Sequence, residues 1–452
     1  MNSRMICFDI LKKVEDSDIY VGELLDGALR TIQFSDKRDR AFITRLVEGV
    51  TERKYSLDFL IDKFSRKSPD PDVRIILRMG IYQIKYMDSV PDRAAISESV
   101  ELTKELGYKG LSGFVNGLLR NVARAKDENK LDSYLVSRMD TRYSTPKWLC
   151  DFLVETYGKG EAKTILEDQF IEHDTVVRVN TLKTDRESLR KLFEEKGIEV
   201  KDGVLSNRCL RISGYDSVRR LPGYNDGLFT VQDETSVYTV EHIGIKPGDR
   251  VLDMCASPGG KSMLAYEIAT DDKNGGVIVS RDISESKIEK IRENAERLGI
   301  SIYDDDEKTD IFGMRLEIGD ATVLDESIAG LKEDQKFDVV IADVPCSGLG
   351  IIGRKNDIKY HMSIEIMKEL ANQGLIILQN ASNYVKKGGA ICFSTCTINP
   401  SENGNVVRRF LDNINNNTEN ASNMTFEIIE EKTFIQGIDG SDGFYFCILK
   451  KD

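Results

Sequence analysis

The sequence predicts a multidomain protein: an all-α bundle at the N-terminus, a small α+β module in the middle, and a larger open α/β domain filling the C-terminal half. Three observations predict it. A chain of 452 residues exceeds what one hydrophobic core organises. Apolar residues recur at three- and four-residue spacing through residues 1–140. From residue 236 onward, short apolar runs alternate with helical patterns, as in a parallel sheet covered on both faces. These changes of pattern place domain boundaries at 1–140, 141–235 and 236–452.

In the first segment the helical spacing is carried by Ile6, Ile10, Leu11 and Val14, by Phe42, Leu46 and Val50, and by Ile75, Ile76, Met79 and Tyr82. Proline interrupts it at Ser68-Pro69-Asp70-Pro71 and at Val90-Pro91-Asp92. The basic side chains Arg38, Arg40, Arg78 and Arg120 read as ordinary helix-surface charge on a census alone. In the middle module, Thr175 to Leu182 reads as a strand and Arg186 to Lys196 as an amphipathic helix, with short strands near Val200 and at Leu210 to Ile212. In the last domain, strand patterns occur at Val251–Met254, Gly276–Ser280, Met314–Ile318, Phe337–Ala342 and Ala390–Ser394. Helical patterns fall at Ser262–Ile268 and Ile288–Leu298, and Gly443 to Lys451 reads as a final strand. Two polar stretches, the acidic Tyr303–Asp310 and the Asn-rich Asn413–Asn423, read as loops.

Composition narrows the function. The N-terminus alternates apolar and charged residues and lacks a signal-peptide core, and no apolar run approaches bilayer length. A cytoplasmic protein with no membrane partner is expected. The eight cysteines avoid the short paired spacings of zinc and disulfide scaffolds, and the three histidines lie far apart, so no metal site and reduced thiols are expected. Net charge is −13, but it divides as +3 over residues 1–150 and −16 over the remainder, so the total does not exclude a nucleic-acid partner. A monomer is the default expectation.

Chemistry concentrates at the carboxyl ends of the predicted strands, where open α/β sheets bind ligands. Val251 to Ser262, V-L-D-M-C-A-S-P-G-G-K-S, reads as strand, small-residue turn and helix start. Gly259 and Gly260 admit close backbone approach, and a helix N-terminus holds a carboxylate. A phosphate-binding loop competes through its G-K-S ending, but that loop needs glycine where Cys255 stands. Asp282, about one βα unit further on, suits the two hydroxyls of a ribose, although an acidic residue there also serves as a helix cap. Asp320 ends the next strand, where an adenine edge would lie. Three such signals without G-x-G-x-x-G favour S-adenosylmethionine over a dinucleotide.

Two cysteines stand apart from the rest. Cys346, in D-V-P-C-S-G-L-G, and Cys396, in S-T-C-T, each follow a strand end on a loop of small residues. A thiolate added to C6 of a pyrimidine turns C5 into an enamine-like carbon able to accept a methyl group, and cysteine is intrinsically suited to that addition. A second thiol or base then assists loss of the C5 proton and release. For Cys7, Cys150, Cys209, Cys392 and Cys447 the reading is a small buried hydrophobe.

The motifs D-x-C-A-S-P-G-G-K-S, D-V-P-C-S-G-L-G and S-T-C-T-I-N-P-S-E-N together resemble the RNA 5-methylcytosine methyltransferases, most closely the bacterial subgroup that modifies 16S ribosomal RNA. The N-terminal segment, with D-K-R-D-R-A-F, I-L-R-M-G-I-Y-Q and G-F-V-N-G-L-L-R-N, resembles the NusB-type helical domain, which implies an RNA-contacting module. The likeness implies a Rossmann-like catalytic domain, an RNA-recognition-like middle module and ribosomal RNA as partner. It implies that Cys396 attacks C6 and Cys346 assists release. It also implies that Cys255, Ala256, Ser257, Pro258, Gly259, Gly260, Lys261, Asp282, Asp320 and Asp343 contact S-adenosylmethionine, with Asp343 also near the cytosine amino group. Arg178 and Asn180, Gln232 and Asp233, and Glu402 and Asn403 lie in further matching stretches; the last pair is expected to hold the following helix. The chain departs from the pattern at Ser257, Val344 and Asn356, none of which removes a reacting atom. The competing reading is a non-catalytic RNA-binding or antitermination protein, which has no use for the two rim cysteines.

Overall fold

The computed structural model describes residues 2–31, 37–271, 275–303, 312–415 and 424–452, so the expected acidic loop, past Tyr303, and most of the Asn-rich stretch lie outside the described residues. Two compact units emerge: 1–171 with 352–362, and 172–351 with 363–452.

The first unit is helical: α1 (Ser3–Asp16), α2 (Val21–Thr31), α3 (Lys37–Glu52), α4 (Lys54–Phe64), α5 (Pro71–Tyr86), α6 (Asp92–Glu105), α7 (Ser112–Asp127), α8 (Leu131–Leu135), α9 (Met139–Arg142) and α10 (Lys147–Asp168), the last broken at Gly158. Proline starts α5 and immediately precedes α6, where its missing N–H costs nothing. Helix α5 is the axis of the bundle, with an unbroken buried run from Ile75 to Ile84. Gly49 is required beneath it, because a Cβ there would lie 1.9 Å from the Tyr82 ring.

This unit is longer than the 1–140 span expected, for two reasons. Helix α10 continues the apolar spacing with Leu149, Leu153, Ile165 and Leu166 buried. The distant segment 352–362 also folds into the bundle. There Asp357 accepts the first N–H of α2, from Val21, at 2.5 Å, while buried Lys359 donates to the Glu52 carbonyl at 3.1 Å and to Gln169 Oε1 at 2.7 Å. Burial pushes the Lys359 ammonium down to about 7.

The second unit holds two sheets. Strands β1 (Thr175–Val179), β2 (Glu199–Asp202), β3 (Cys209–Ser213) and β4 (Phe229–Val231) form an antiparallel sheet in the order β2-β3-β1-β4. Helix α11 (Arg186–Glu194) lays Leu189 and Phe193 on Val177, Val179, Leu210 and Phe229. Helix α12 (Glu234–His242) leads to the larger sheet. Its elements in order are β5 (Arg250–Asp253), α13 (Gly260–Ala269), β6 (Val277–Asp282), α14 (Glu285–Leu298), β7 (Gly313–Ile318), α15 (Glu326–Ala329) and β8 (Phe337–Asp343). After the single turn α16 (Ile358–His361), which belongs to the first unit, come α17 (Ile364–Tyr384), β9 (Val385–Thr395), α18 (Gly404–Asn415), β10 (Phe426–Phe434) and β11 (Phe444–Lys451).

The order is β10-β11-β9-β8-β5-β6-β7, parallel from β9 through β7. Strands β10 and β11 add antiparallel pairs that the expectation of a parallel sheet did not contain: the short connection without a helix from β10 to β11 permits only that direction, and β11 inserts between β10 and β9, antiparallel to both. The apolar run of β8 splits by period two. Val340 and Ala342 face the core under α17 and α18, whereas Val339 and Ile341 face the core under α12, α13 and α14. The chain runs outward from β5 to β6 and β7, then returns to β8 and β9 on the other side. The switch point therefore opens between the carboxyl ends of β5 and β8. Among the described residues no helix is long and apolar enough to cross a membrane.

Candidate active site

Asp253 and Asp343 end the two strands that flank the switch point. After Asp253 the chain passes through Cys255 to Lys261 into α13, turning at Gly259 with φ of +101°. A side chain is excluded there twice over, by that φ and because a Cβ would lie 2.6 Å from Met263 and 3.2 Å from Ile291. Asp253 Oδ2 accepts the Ser262 hydroxyl at 2.6 Å, while its buried Oδ1 has no partner. Burial pushes this carboxyl up to about 7. Burial likewise raises the half-buried Cys255 thiol well above the usual cysteine range, which keeps it neutral.

Buried Asp282 ends β6 and turns back to the same loop. Its Oδ2 accepts the Ser257 N–H at 2.9 Å, and its Oδ1 accepts the Ile283 N–H at 2.8 Å and pairs with Lys287 at 2.9 Å. Asp320 is exposed beyond β7, where its Oδ1 accepts the N–H and hydroxyl of Thr322 at 2.9 and 2.6 Å.

The two rim cysteines meet. Strands β8 and β9 pair in parallel with Asp343 opposite Ser394, so Cys346 and Cys396 leave adjacent strand ends within three residues of one register row. Their sulfurs lie 3.4 Å apart, both half-buried, whereas Cys7, Cys150, Cys209, Cys392 and Cys447 are buried. The hydrogen bond with Cys396, followed by burial, raises the Cys346 thiol well above the usual cysteine range. Backbone bonds lock the loops together: Gly350 N–H donates to the Cys396 carbonyl at 3.1 Å, and Gly443 N–H donates to the Gly350 carbonyl at 2.8 Å.

Lys261 donates from Nζ to Asp343 Oδ2 at 2.6 Å and sits 5.3 Å from the centre of the Phe444 ring, while Ser394 donates to Asp343 Oδ1 at 2.7 Å. Burial works against the Lys261 charge, but Asp343, Asp253 and Cys396 outweigh it and raise its pKa. The lysine therefore stays cationic beside the sulfurs, on the rim and facing an acid.

Several contributors had no role assigned from the sequence, although Arg178 and Gln232 were noted in matching stretches. Arg178, wholly buried on β1, donates to Gln232 Oε1 at 2.8 Å and pairs with buried Glu267 of α13, which also accepts the Thr181 hydroxyl at 3.0 Å. Gln232 in turn packs against Gly260, where a Cβ would come within 3.2 Å of it. Beside the family likeness, the residue signal for Arg178 was an arginine inside the apolar run V-V-R-V. Ser347, Thr397 and Ser394 carry no such signal. Arg78, expected on the surface, is buried in α5 and held by Asp58 at 2.7 and 2.9 Å and by Glu15 at 3.1 Å. Only burial of its apolar stem with two acids on α1 and α4 explains that placement. Arg120 stays exposed, bonded to Asn116.

Comparison with known proteins bears directly on this geometry. Residues 241–450 match the model of the 16S rRNA methyltransferase RsmB/F family, residues 1–124 that of the NusB family, and residues 145–219 the ferredoxin-like domain of RsmF/B-like methyltransferases. The probable ribosomal RNA small subunit methyltransferase B of Bacillus subtilis (strain 168) is 33% identical over 470 residues, spanning 99% of this chain and 98% of that protein. The chain belongs to the RsmB/F family. The ribosomal RNA small subunit methyltransferase B of Vibrio cholerae serotype O1 is 28% identical over 100% of this chain and 98% of its own length. The crystal structure of PH0851 has the same fold at 20% identity, with a TM-score of 0.77 over 99% of both chains. A methyltransferase homolog protein from Pyrococcus horikoshii shares it at 23% identity and a TM-score of 0.56, over 69% of this chain and 97% of that one.

RsmB/F proteins are S-adenosylmethionine-dependent methyltransferases, and the residues of this chain fit that group. The first N–H groups of α13 have no partner within the helix, and buried Asp282 offers acceptors at the end of β6.

Proposed function

We propose that this chain methylates C5 of a cytosine in 16S ribosomal RNA through a covalent adduct between cysteine and the C6 carbon. One observation carries the reading: two sulfurs 3.4 Å apart at neighbouring strand ends, beside a cationic lysine paired to an acid. A methyltransferase acting on oxygen or nitrogen needs neither thiol. The names of the curated relatives supply the substrate class.

Bound S-adenosylmethionine supplies an electrophilic methyl group. Cys255 to Lys261, Asp282 and Asp320 would hold it, with Asp282 accepting from ribose hydroxyls. Asp343 would serve both sides, through the donor and through the cytosine amino group. Cys396, as thiolate, adds its sulfur to C6; the C5=C6 electrons move into the ring and make C5 nucleophilic. After C5 has taken the methyl group, Cys346 assists removal of the C5 proton, the C5=C6 bond re-forms and Cys396 leaves with its electron pair. The positive charge of Lys261 favours the thiolate of Cys396. The target base reaches these groups only when turned out of its stack.

Each thiol is replaced in turn and the protein is run with 16S RNA and S-adenosylmethionine on denaturing gels. Cys346→Ala accumulates a covalent RNA adduct and Cys396→Ala forms none. Identical behaviour of the two variants overturns the assignment, and methylation by Cys396→Ala at the wild-type rate overturns the covalent mechanism.

A further inference from the structure

Beneath the sulfurs, the consecutive residues Glu402 and Asn403 hold the two cysteine loops, Glu402 chiefly that of Cys346 and Asn403 that of Cys396. Glu402 is 2% exposed, in the turn between β9 and α18. Its Oε2 accepts the Ser347 N–H at 2.7 Å, and its Oε1 accepts the Ser347 hydroxyl at 2.6 Å and Asn399 Nδ2 at 2.7 Å. Ser347 directly follows Cys346. Asn403, equally buried, accepts the Thr395 hydroxyl on Oδ1 at 2.6 Å and donates from Nδ2 to the Thr397 carbonyl at 2.8 Å. Thr395 and Thr397 flank Cys396 on both sides. The two grips touch where the hydroxyls of Ser347 and Thr397 lie 2.8 Å apart, and again where Asn399, held by Glu402, donates its N–H to the Thr397 hydroxyl at 3.2 Å.

We infer that Glu402 and Asn403 are positioning residues with divided duties, Glu402 setting the place of Cys346 and Asn403 that of Cys396. This rests on the roles given above to the two thiols. A buried carboxylate accepting three hydrogen bonds is a rigid anchor, since each bond to a charged acceptor is stronger than a neutral one and none is shared with water. Holding the following helix, the role expected from sequence, needs none of the contacts that Glu402 makes to Ser347. The division has a consequence that a general loss of stability does not share. Loosening Glu402 impairs release of the adduct, whereas loosening Asn403 impairs its formation.

The test uses near-isosteric variants. In Glu402→Gln either orientation of the amide sets an NH2 group against a donor, the Ser347 N–H in one and Asn399 Nδ2 in the other. In Asn403→Asp the new oxygen faces the Thr397 carbonyl. The full-length proteins react with 16S RNA and labelled S-adenosylmethionine, beside Cys346→Ala, and covalent adduct and free methylated RNA are measured separately. Glu402→Gln is expected to raise the ratio of adduct to free product by about tenfold, the effect of about 1.4 kcal/mol on one step. Asn403→Asp is expected to lower adduct formation by a similar factor with no rise in that ratio. Equal ratios in the two variants overturn the inference. If Cys346→Ala itself traps no adduct, the thiol assignment fails rather than the positioning; if it traps adduct and Glu402→Gln does not, the positioning fails alone. Should Glu402→Gln not fold, Ser347→Ala, which removes only the hydroxyl, replaces it with the same expected and overturning results.

Discussion

Replacing Gly350 by alanine tests whether the two cysteine loops are held by direct backbone contact. The added Cβ would lie 2.0 Å from the Gly443 carbonyl oxygen, 2.5 Å from its carbon and 2.8 Å from the Cys396 carbonyl oxygen. All three are backbone atoms, so no rotamer relieves the clash. Restoring ordinary contact moves the loop by more than about 1 Å, which breaks the bonds of 3.1 Å to Cys396 and 2.8 Å from Gly443. Each lost bond costs about 1 kcal/mol, and forcing an extra carbon into a packed site costs about 1–3 kcal/mol. The sum is about 3–5 kcal/mol, measurable as a lower urea midpoint. The sulfurs report the same displacement. At 3.4 Å they need little approach to bond, so diamide oxidises wild type rapidly to an internal disulfide, and the variant slowly. Unchanged stability together with unchanged oxidation would refute the close approach on which this reading of the loop depends.

Three further outcomes are expected. Arg178→Met leaves the buried Glu267 carboxylate with Thr181 and the partly exposed Arg208 at 3.7 Å, and should lower stability by about 3–5 kcal/mol in urea titrations; a loss under about 1 kcal/mol would mean that the pair is solvated. Asp253 keeps its proton in the fold up to about pH 7 but loses it near 3.8 when unfolded, so its contribution to stability is complete below pH 4 and disappears as pH rises through 7. Asp253→Asn, which does not titrate, should therefore gain on wild type between those limits by on the order of 3–4 kcal/mol, and a difference independent of pH contradicts the burial argument. Asp282→Ala should weaken S-adenosylmethionine binding by about tenfold or more in calorimetry, the effect of losing a charged hydrogen-bond acceptor; Asp320→Ala, at an exposed position, should cost less, and the reverse order would misplace the ribose.

What the linear sequence determined is what local periodicity and residue chemistry encode. The apolar run Val339–Ala342 announced a strand covered on both faces, Gly259 a turn at a helix start, and Asp282 an acceptor at a strand end. Cys346 and Cys396 were marked as exceptional by their loops, whereas Cys7, Cys150, Cys209, Cys392 and Cys447, read as small hydrophobes, are buried. Only the tertiary structure decided which distant pieces meet. The register of Asp343 against Ser394 brings the sulfurs together, yet it depends on strand pairing across 50 residues that no periodicity records. The burial of Arg78 and Lys359 was equally illegible, as was the membership of 352–362 in the helical unit. A charged side chain looks the same in sequence whether water or a buried partner satisfies it, and only the packed chain supplies the partner.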